Sequence, residues 1–140
     1  MNISEIALSW VGTPFFPHMA RKGIGADCVT QALAIFQEAG LLPSGIKFPD
    51  YNLADGDHLS ESTVLKWLEL TNWFTRCDTI DVGDLITFRI GKVVHHVGVA
   101  VDAVQFVHNI RGYGSILSRI DDSTWSKRLV SIFRLRGGHP

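Results

Sequence analysis

Cys28, His96 and His108 are the side chains here whose types and order could perform covalent chemistry. A thiol that sheds its proton is a nucleophile, an imidazole can take that proton, and a further polar group can orient the imidazole and choose its tautomer. Cys28 follows Asp27 at the start of an apolar, periodic stretch. A thiol at a helix start meets backbone N–H groups and the positive end of the helix dipole, and both favour the thiolate. The two histidines come much later, on segments that read as neighbouring strands.

Those segments define the expected elements. Ile3, Ile6, Ala7 and Trp10 share one face of a short helix over 3–11, ended by Gly12. A glycine- and proline-bearing loop follows, to Gly25. Asp27 is the expected N-cap of a second helix whose Val29, Ala32, Leu33, Phe36 and Ala39 recur at spacings of three and four, with Gly40 as its stop. Pro43 to Gly56 reads as loop. Ser60 or Ser62 then caps a third helix carrying Val64, Leu65, Trp67, Leu68 and Leu70. From Asp81 the pattern becomes β: Leu85–Arg89, Val93–Val101, Val104–Asn109, Ser115–Ser118 and Leu129–Leu135, joined by short turns, which predicts an antiparallel meander. Helices first and strands after make the fold class α+β.

Alternation along the strands assigns faces. His96, Gly98 and Ala100 share one face of their strand, and His95, Val97, Val99 and Val101 the other. The small residues beside His96 predict room for an element packed over that face, such as the thiol-bearing helix. Phe106 and His108 share a face of the next strand, and cross-strand neighbours have Cβ atoms roughly 4.5–5.5 Å apart. His95 is the alternative base and Asn109 the alternative orienting group. Cys28, His96 and His108 are also chemically adequate zinc ligands, but no short paired-ligand spacing accompanies them, so no metal and no cofactor is expected. His18, His58 and His139 fall in loops or the tail, Asp84 in a turn, and Cys77 reads as structural.

Composition narrows the classes. The chain has 140 residues, 46% hydrophobic, with a formal net charge of −1. That length suits one domain over residues 1–140 with a real core. No basic cluster points to nucleic acid, and no apolar run approaches the ~20 residues that span a bilayer. The first residues, Met1 to Glu5, show no basic n-region or apolar h-region, so synthesis in the cytoplasm without a signal peptide is expected. Two free thiols are expected rather than a bridge.

The segment Gly12-Thr13-Pro14-Phe15, then Gly23-Ile24-Gly25-Ala26-Asp27-Cys28 and an apolar helix, resembles the NlpC-type cell-wall cysteine peptidases, closest to the version carried in phage tails. Gly83-Asp84-Leu85, His96-Val97-Gly98-Val99 and Phe106-Val107-His108 follow in the family's order. The resemblance implies a papain-like fold, with N-terminal helices packed on a C-terminal antiparallel sheet, and a thiol hydrolase that cuts amide bonds of peptidoglycan stem peptides. By position, Cys28 would be the nucleophile, His96 the base and later acid, and His108 the orienting group. Phe15, Asp27 and Val29 would face substrate. Phe15 stands where the family usually has tyrosine, and Val29-Thr30 where it has Ser-Gly, so two polar groups are lost from that side. The expected partner is a peptidoglycan peptide or other amide substrate, with phage tail proteins as a carrier and the virion as a further location. The alternatives are an inactive wall-binding or tail-structural module of the same fold, or an acyltransferase or deamidase using the same Cys-His pair.

Overall fold

A computed structural model describes residues 1–49, 63–91 and 93–136, with only the backbone of Val93, Val94 and His95. His58, His139 and the expected caps Ser60 and Ser62 lie outside the described residues, as does the end of the expected loop. The element order is α1 (Ile3–Ser9), β1 (Ala20–Arg21), β2 (Gly25–Ala26), α2 (Cys28–Glu38), α3 (Thr63–Leu70), β3 (Phe74–Cys77), β4 (Leu85–Ile90), β5 (Val93–Ala100), β6 (Gln105–Ile110), β7 (Gly114–Arg119), α4 (Ser123–Arg128) and β8 (Leu129–Leu135). This is an α+β fold, as expected.

Helix ends follow from local chemistry. Asn2 and Glu5 form a capping box at α1. Gly40, at φ 76°, takes the left-handed conformation that stops α2 just beyond its C-cap Ala39. Ile6, Ala7 and Trp10 of the first helical segment join Ala32, Ile35 and Phe36 of α2 and Val64 and Leu68 of α3 in the main core.

The six-stranded sheet has the order β3-β8-β4-β5-β6-β7, and every described pairing in it is antiparallel. β4 to β7 form the expected meander. The last strand departs from it by returning to lie between β3 and β4. Asp84 explains part of that return: its buried carboxylate takes Arg134 of β8 through Nε (2.9 Å) and a second guanidinium nitrogen (2.8 Å), and also accepts the Asp81 N–H in the turn. Asp84 therefore serves the turn and the sheet.

The two faces of the sheet are covered differently from the sequence expectation. Val97, Val99 and Val107 face α1, α2 and α3, in the main core. The face bearing Ala100, Phe88 and Phe106 is closed by Trp125 of α4. The space left by Gly98 and Ala100 therefore admits aromatic rings, not the thiol-bearing helix. A Cβ on Gly98 would stand 2.7 Å from Cδ2 of Phe106 and 3.3 Å from Cβ of His108.

Candidate active site

Cys28 owes its position to the residue before it. Asp27 has extended backbone and caps α2: its Oδ1 accepts the N–H groups of Val29 and Thr30, both at 2.9 Å, while Thr30 Oγ1 accepts the Asp27 N–H at 3.0 Å. Asp27 Oδ2 accepts the His18 N–H at 2.6 Å, across a loop where His18 holds φ 65°. The carboxylate is fully buried and organises the backbone around the thiol. Thr30 also donates its hydroxyl to the Met19 carbonyl at 2.5 Å. Cys28 is thus the first residue of a capped helix tied to the preceding loop at His18 and Met19.

Val29 requires a correction. It is 3% exposed and packs in the main core beside Val64, Leu68 and Val97. One residue along a helix turns a side chain by about 100°, which carries Val29 away from the substrate side and toward α3. Phe15 is half-buried. Its backbone bridges Ala26, two residues before Cys28, and the Arg111 guanidinium sits 4.7 Å over its ring.

The imidazoles lie on the Trp125 side of the sheet. His96 pairs with Phe88 while Val94 pairs with Arg89, so His95 is an extra residue in β5, a bulge immediately before His96. The side chain of His95 lies outside the described residues. Described pairing between β5 and β6 covers Val99–Val107 and Ala100–Phe106. His96 and His108 meet diagonally across the gap left by Gly98, rather than as directly opposed neighbours. His96 Nε2 lies 2.7 Å from His108 Nδ1, and His108 Nε2 lies 2.8 Å from Ser118 Oγ. Trp125 stacks over His96 (centroids 5.5 Å, 25°) and meets His108 edge-on (4.6 Å, 86°). Asn109 points to the other face. Its Nδ2 donates to Gln31 Oε1 at 3.0 Å and to the carbonyls of Thr13 and Pro14, so His108, not Asn109, meets His96.

The Cys28 sulfur lies within reach of the backbone N–H of Val97, the residue after His96. Burial, with the Asp27 carboxylate beside it, pushes the thiol up to about 12, while the N–H groups of Val97, Val29 and Cys28 pull the other way. The sequence-based expectation of an acidic thiol is thereby reversed: at 4% exposure, desolvation outweighs the helix start. Burial also drives His108 down to about 3, so it is neutral at physiological pH. Both cysteines are free thiols, and Cys77 lies 3.9 Å from Asp84 Oδ2, away from this site. Among the described residues no group of three or more His, Cys, Asp or Glu side chains is placed to hold a metal ion, and no helix is long and apolar enough to cross a membrane.

Sequence reasoning missed Ser118 and Trp125. Strand parity could have found Ser118, which pairs with Phe106 on the face of His108. Trp125 left no such signal, since the six residues of α4 are too few for periodicity.

Comparison with known proteins agrees with this architecture. Over 46 residues the chain is 41% identical to murein DD-endopeptidase MepS/murein LD-carboxypeptidase of Escherichia coli, a stretch that is 33% of this chain and 24% of that protein. A lipoprotein-like NLP/P60-family protein of Staphylococcus aureus shares the fold with a TM-score of 0.64 at 20% identity, covering 97% of this chain and 41% of that one. The NlpC/p60 domain of the peptidoglycan hydrolase SagA matches with a TM-score of 0.61 at 14% identity, over 94% and 95%. The model of the NlpC/P60 family matches residues 13–134, and the chain belongs to that family.

Proposed function

We propose that this chain is a thiol hydrolase that cleaves amide bonds in peptidoglycan stem peptides, with Cys28 as nucleophile, His96 as base and His108 as the group that orients it. The observation that carries the reading is the His96–His108 hydrogen bond of 2.7 Å, on the strand whose next residue, Val97, meets the Cys28 sulfur. Because Nε2 of His96 is engaged with His108, Nδ1 is the nitrogen for proton exchange with the thiol. The proton leaves sulfur for Nδ1, sulfur attacks the carbonyl carbon, and the imidazolium then protonates the departing amine. Water attacks the thioester in the second half, with His96 again taking a proton. The backbone N–H of Cys28 is a donor for the oxyanion.

With the sulfur protonated at rest, proton transfer accompanies attack rather than preceding it. The burial behind that resting state also favours a second reading, a wall-binding module of the same fold that performs no chemistry. The test is incubation of the protein and its Cys28→Ala variant with muropeptides, followed by detection of new amino termini. Cleavage lost in the variant is expected. Cleavage that survives it would end the hydrolase reading, and no cleavage by either would favour the binding module. A thioester on Cys28 that resolves to an amine acceptor rather than water would assign acyl transfer instead. The resemblance to tail-borne versions supports a phage or prophage setting, which neighbouring tail genes would test.

A further inference from the structure

We propose that Ser118 is a positioning residue for the catalytic base, acting through His108 to set the direction in which the protons of the His96–His108–Ser118 chain point. The inference rests on the reading of Cys28 and His96 as nucleophile and base.

Three strands contribute one member each. His96 stands on β5, His108 on β6 and Ser118 on β7, with contacts of 2.7 and 2.8 Å between successive members. His108 is 1% exposed, between the rings of Phe106 and Trp125, and burial keeps it neutral. A neutral imidazole carries one N–H and one lone pair, so the chain has two possible polarities.

In the first polarity Ser118 Oγ accepts from His108 Nε2–H. His108 Nδ1 then accepts from His96 Nε2–H, and His96 Nδ1 keeps its lone pair, so it can take the thiol proton. When it does, the imidazolium still donates through Nε2 to the same acceptor, and nothing in the chain must turn. In the second polarity Ser118 donates to His108 Nε2. His108 Nδ1–H then donates to His96 Nε2, which puts the His96 proton on Nδ1, where it blocks proton transfer from sulfur. Only the first polarity gives a base.

Ser118 suits the acceptor role. It is half-buried, diagonal to His108 across the β6–β7 ladder, so its own proton has a solvent-side outlet and its lone pair is left for the imidazole. Removing the hydroxyl would strand a buried N–H on Nε2, at a cost comparable to a lost hydrogen bond. The proton relocates to Nδ1 and the second polarity takes over.

The test uses the whole chain with 15N-labelled histidine. Long-range 1H–15N spectra report the His108 tautomer, and steady-state kinetics on a muropeptide report function. In the wild type His108 carries its proton on Nε2. Ser118→Ala moves it to Nδ1 and lowers kcat about tenfold or more with KM unchanged, and Ser118→Thr restores both. An Nδ1–H tautomer in the wild type would overturn the inference. So would a Ser118→Ala variant with the wild-type tautomer and kcat within about twofold of wild type. If Cys28→Ala abolishes cleavage while Ser118→Ala does not lower it, the positioning role falls and the hydrolase reading stands. If the wild type cleaves nothing, the spectra still decide the polarity.

Discussion

Acid should destabilise this protein through His108, by an amount that follows from its burial. The ring is 1% exposed and holds about 3 as its pKa, against 6.5 in an unstructured chain. Between those values the unfolded chain binds a proton that the folded protein refuses, so unfolding becomes easier as pH falls. The penalty is absent well above pH 6.5 and grows through the window below it. With the two values as end points, it amounts to about 1.4 kcal/mol at pH 5.5 and about 2.7 kcal/mol at pH 4.5. Those are large fractions of the ~5–15 kcal/mol that holds a typical domain folded. The assay is urea unfolding at several pH values for the wild type and for His108→Asn, which cannot titrate in that range. Lost packing lowers the variant by a constant offset, whereas titration appears as a difference in slope. The wild type is expected to lose stability more steeply than the variant below pH 6.5. Parallel slopes, or an imidazole seen by NMR to titrate near 6.5 in the folded protein, would refute the argument that burial keeps His108 neutral.

Two further outcomes follow from the same site. Gly98→Ala should destabilise the fold by about 1–3 kcal/mol, because its Cβ would stand 2.7 Å from Phe106 Cδ2 and 3.2 Å from the Val107 carbonyl; an unchanged urea midpoint would contradict the close approach. In a Cys77→Ala background, iodoacetamide should label Cys28 slowly at neutral pH and roughly tenfold faster with each pH unit up to about 11, as a thiol held near 12 requires. Rapid labelling at pH 6 would instead mean that His96 already holds the proton before substrate arrives.

Much of the frame was legible because its signals are local. The α2 helix carries its own start and stop, Asp27 and Gly40, and the structure adds the Asp27 N–H donated to Thr30 Oγ1 and the ties to His18 and Met19. Strands β4 to β7 were legible from β-branched runs and short turns. What escaped depends on distant partners. β3 is a four-residue edge strand with two exposed residues at its centre, and it pairs with β8, the last strand in the chain. The insertion of β8 beside β4 depends on Arg134 finding Asp84, fifty positions earlier. Alternation separated His96, Gly98 and Ala100 from Val97, Val99 and Val101, but it cannot say which layer covers each face. The helical layer was expected over the face of His96, whereas Val97, Val99 and Val101 form the floor of the helical core. At the site, residue identity suggested an acidified thiol, because the helix-start argument counts favourable dipoles and omits desolvation, which only the folded environment supplies.

That omission bears on how such a site could work. A buried thiol pushed up to about 12 and a buried imidazole driven down to about 3 leave Cys28 and His108 both uncharged at neutral pH. In the proposed mechanism the positive charge must appear on His96 when it takes the thiol proton. His108 cannot readily take that charge from it, since the desolvation that keeps His108 neutral opposes protonation there, while its lone pair remains an acceptor for His96 Nε2–H. The thiolate and the imidazolium would then be created together, in one place, as the substrate carbonyl arrives. Trp125 matters here as more than packing: its ring covers both imidazoles, so it keeps water from the hydrogen bond that holds His96 in register. In the proposed mechanism an aromatic residue from a six-residue helix on one face of the sheet would thus support a thiol carried by a helix of the other layer.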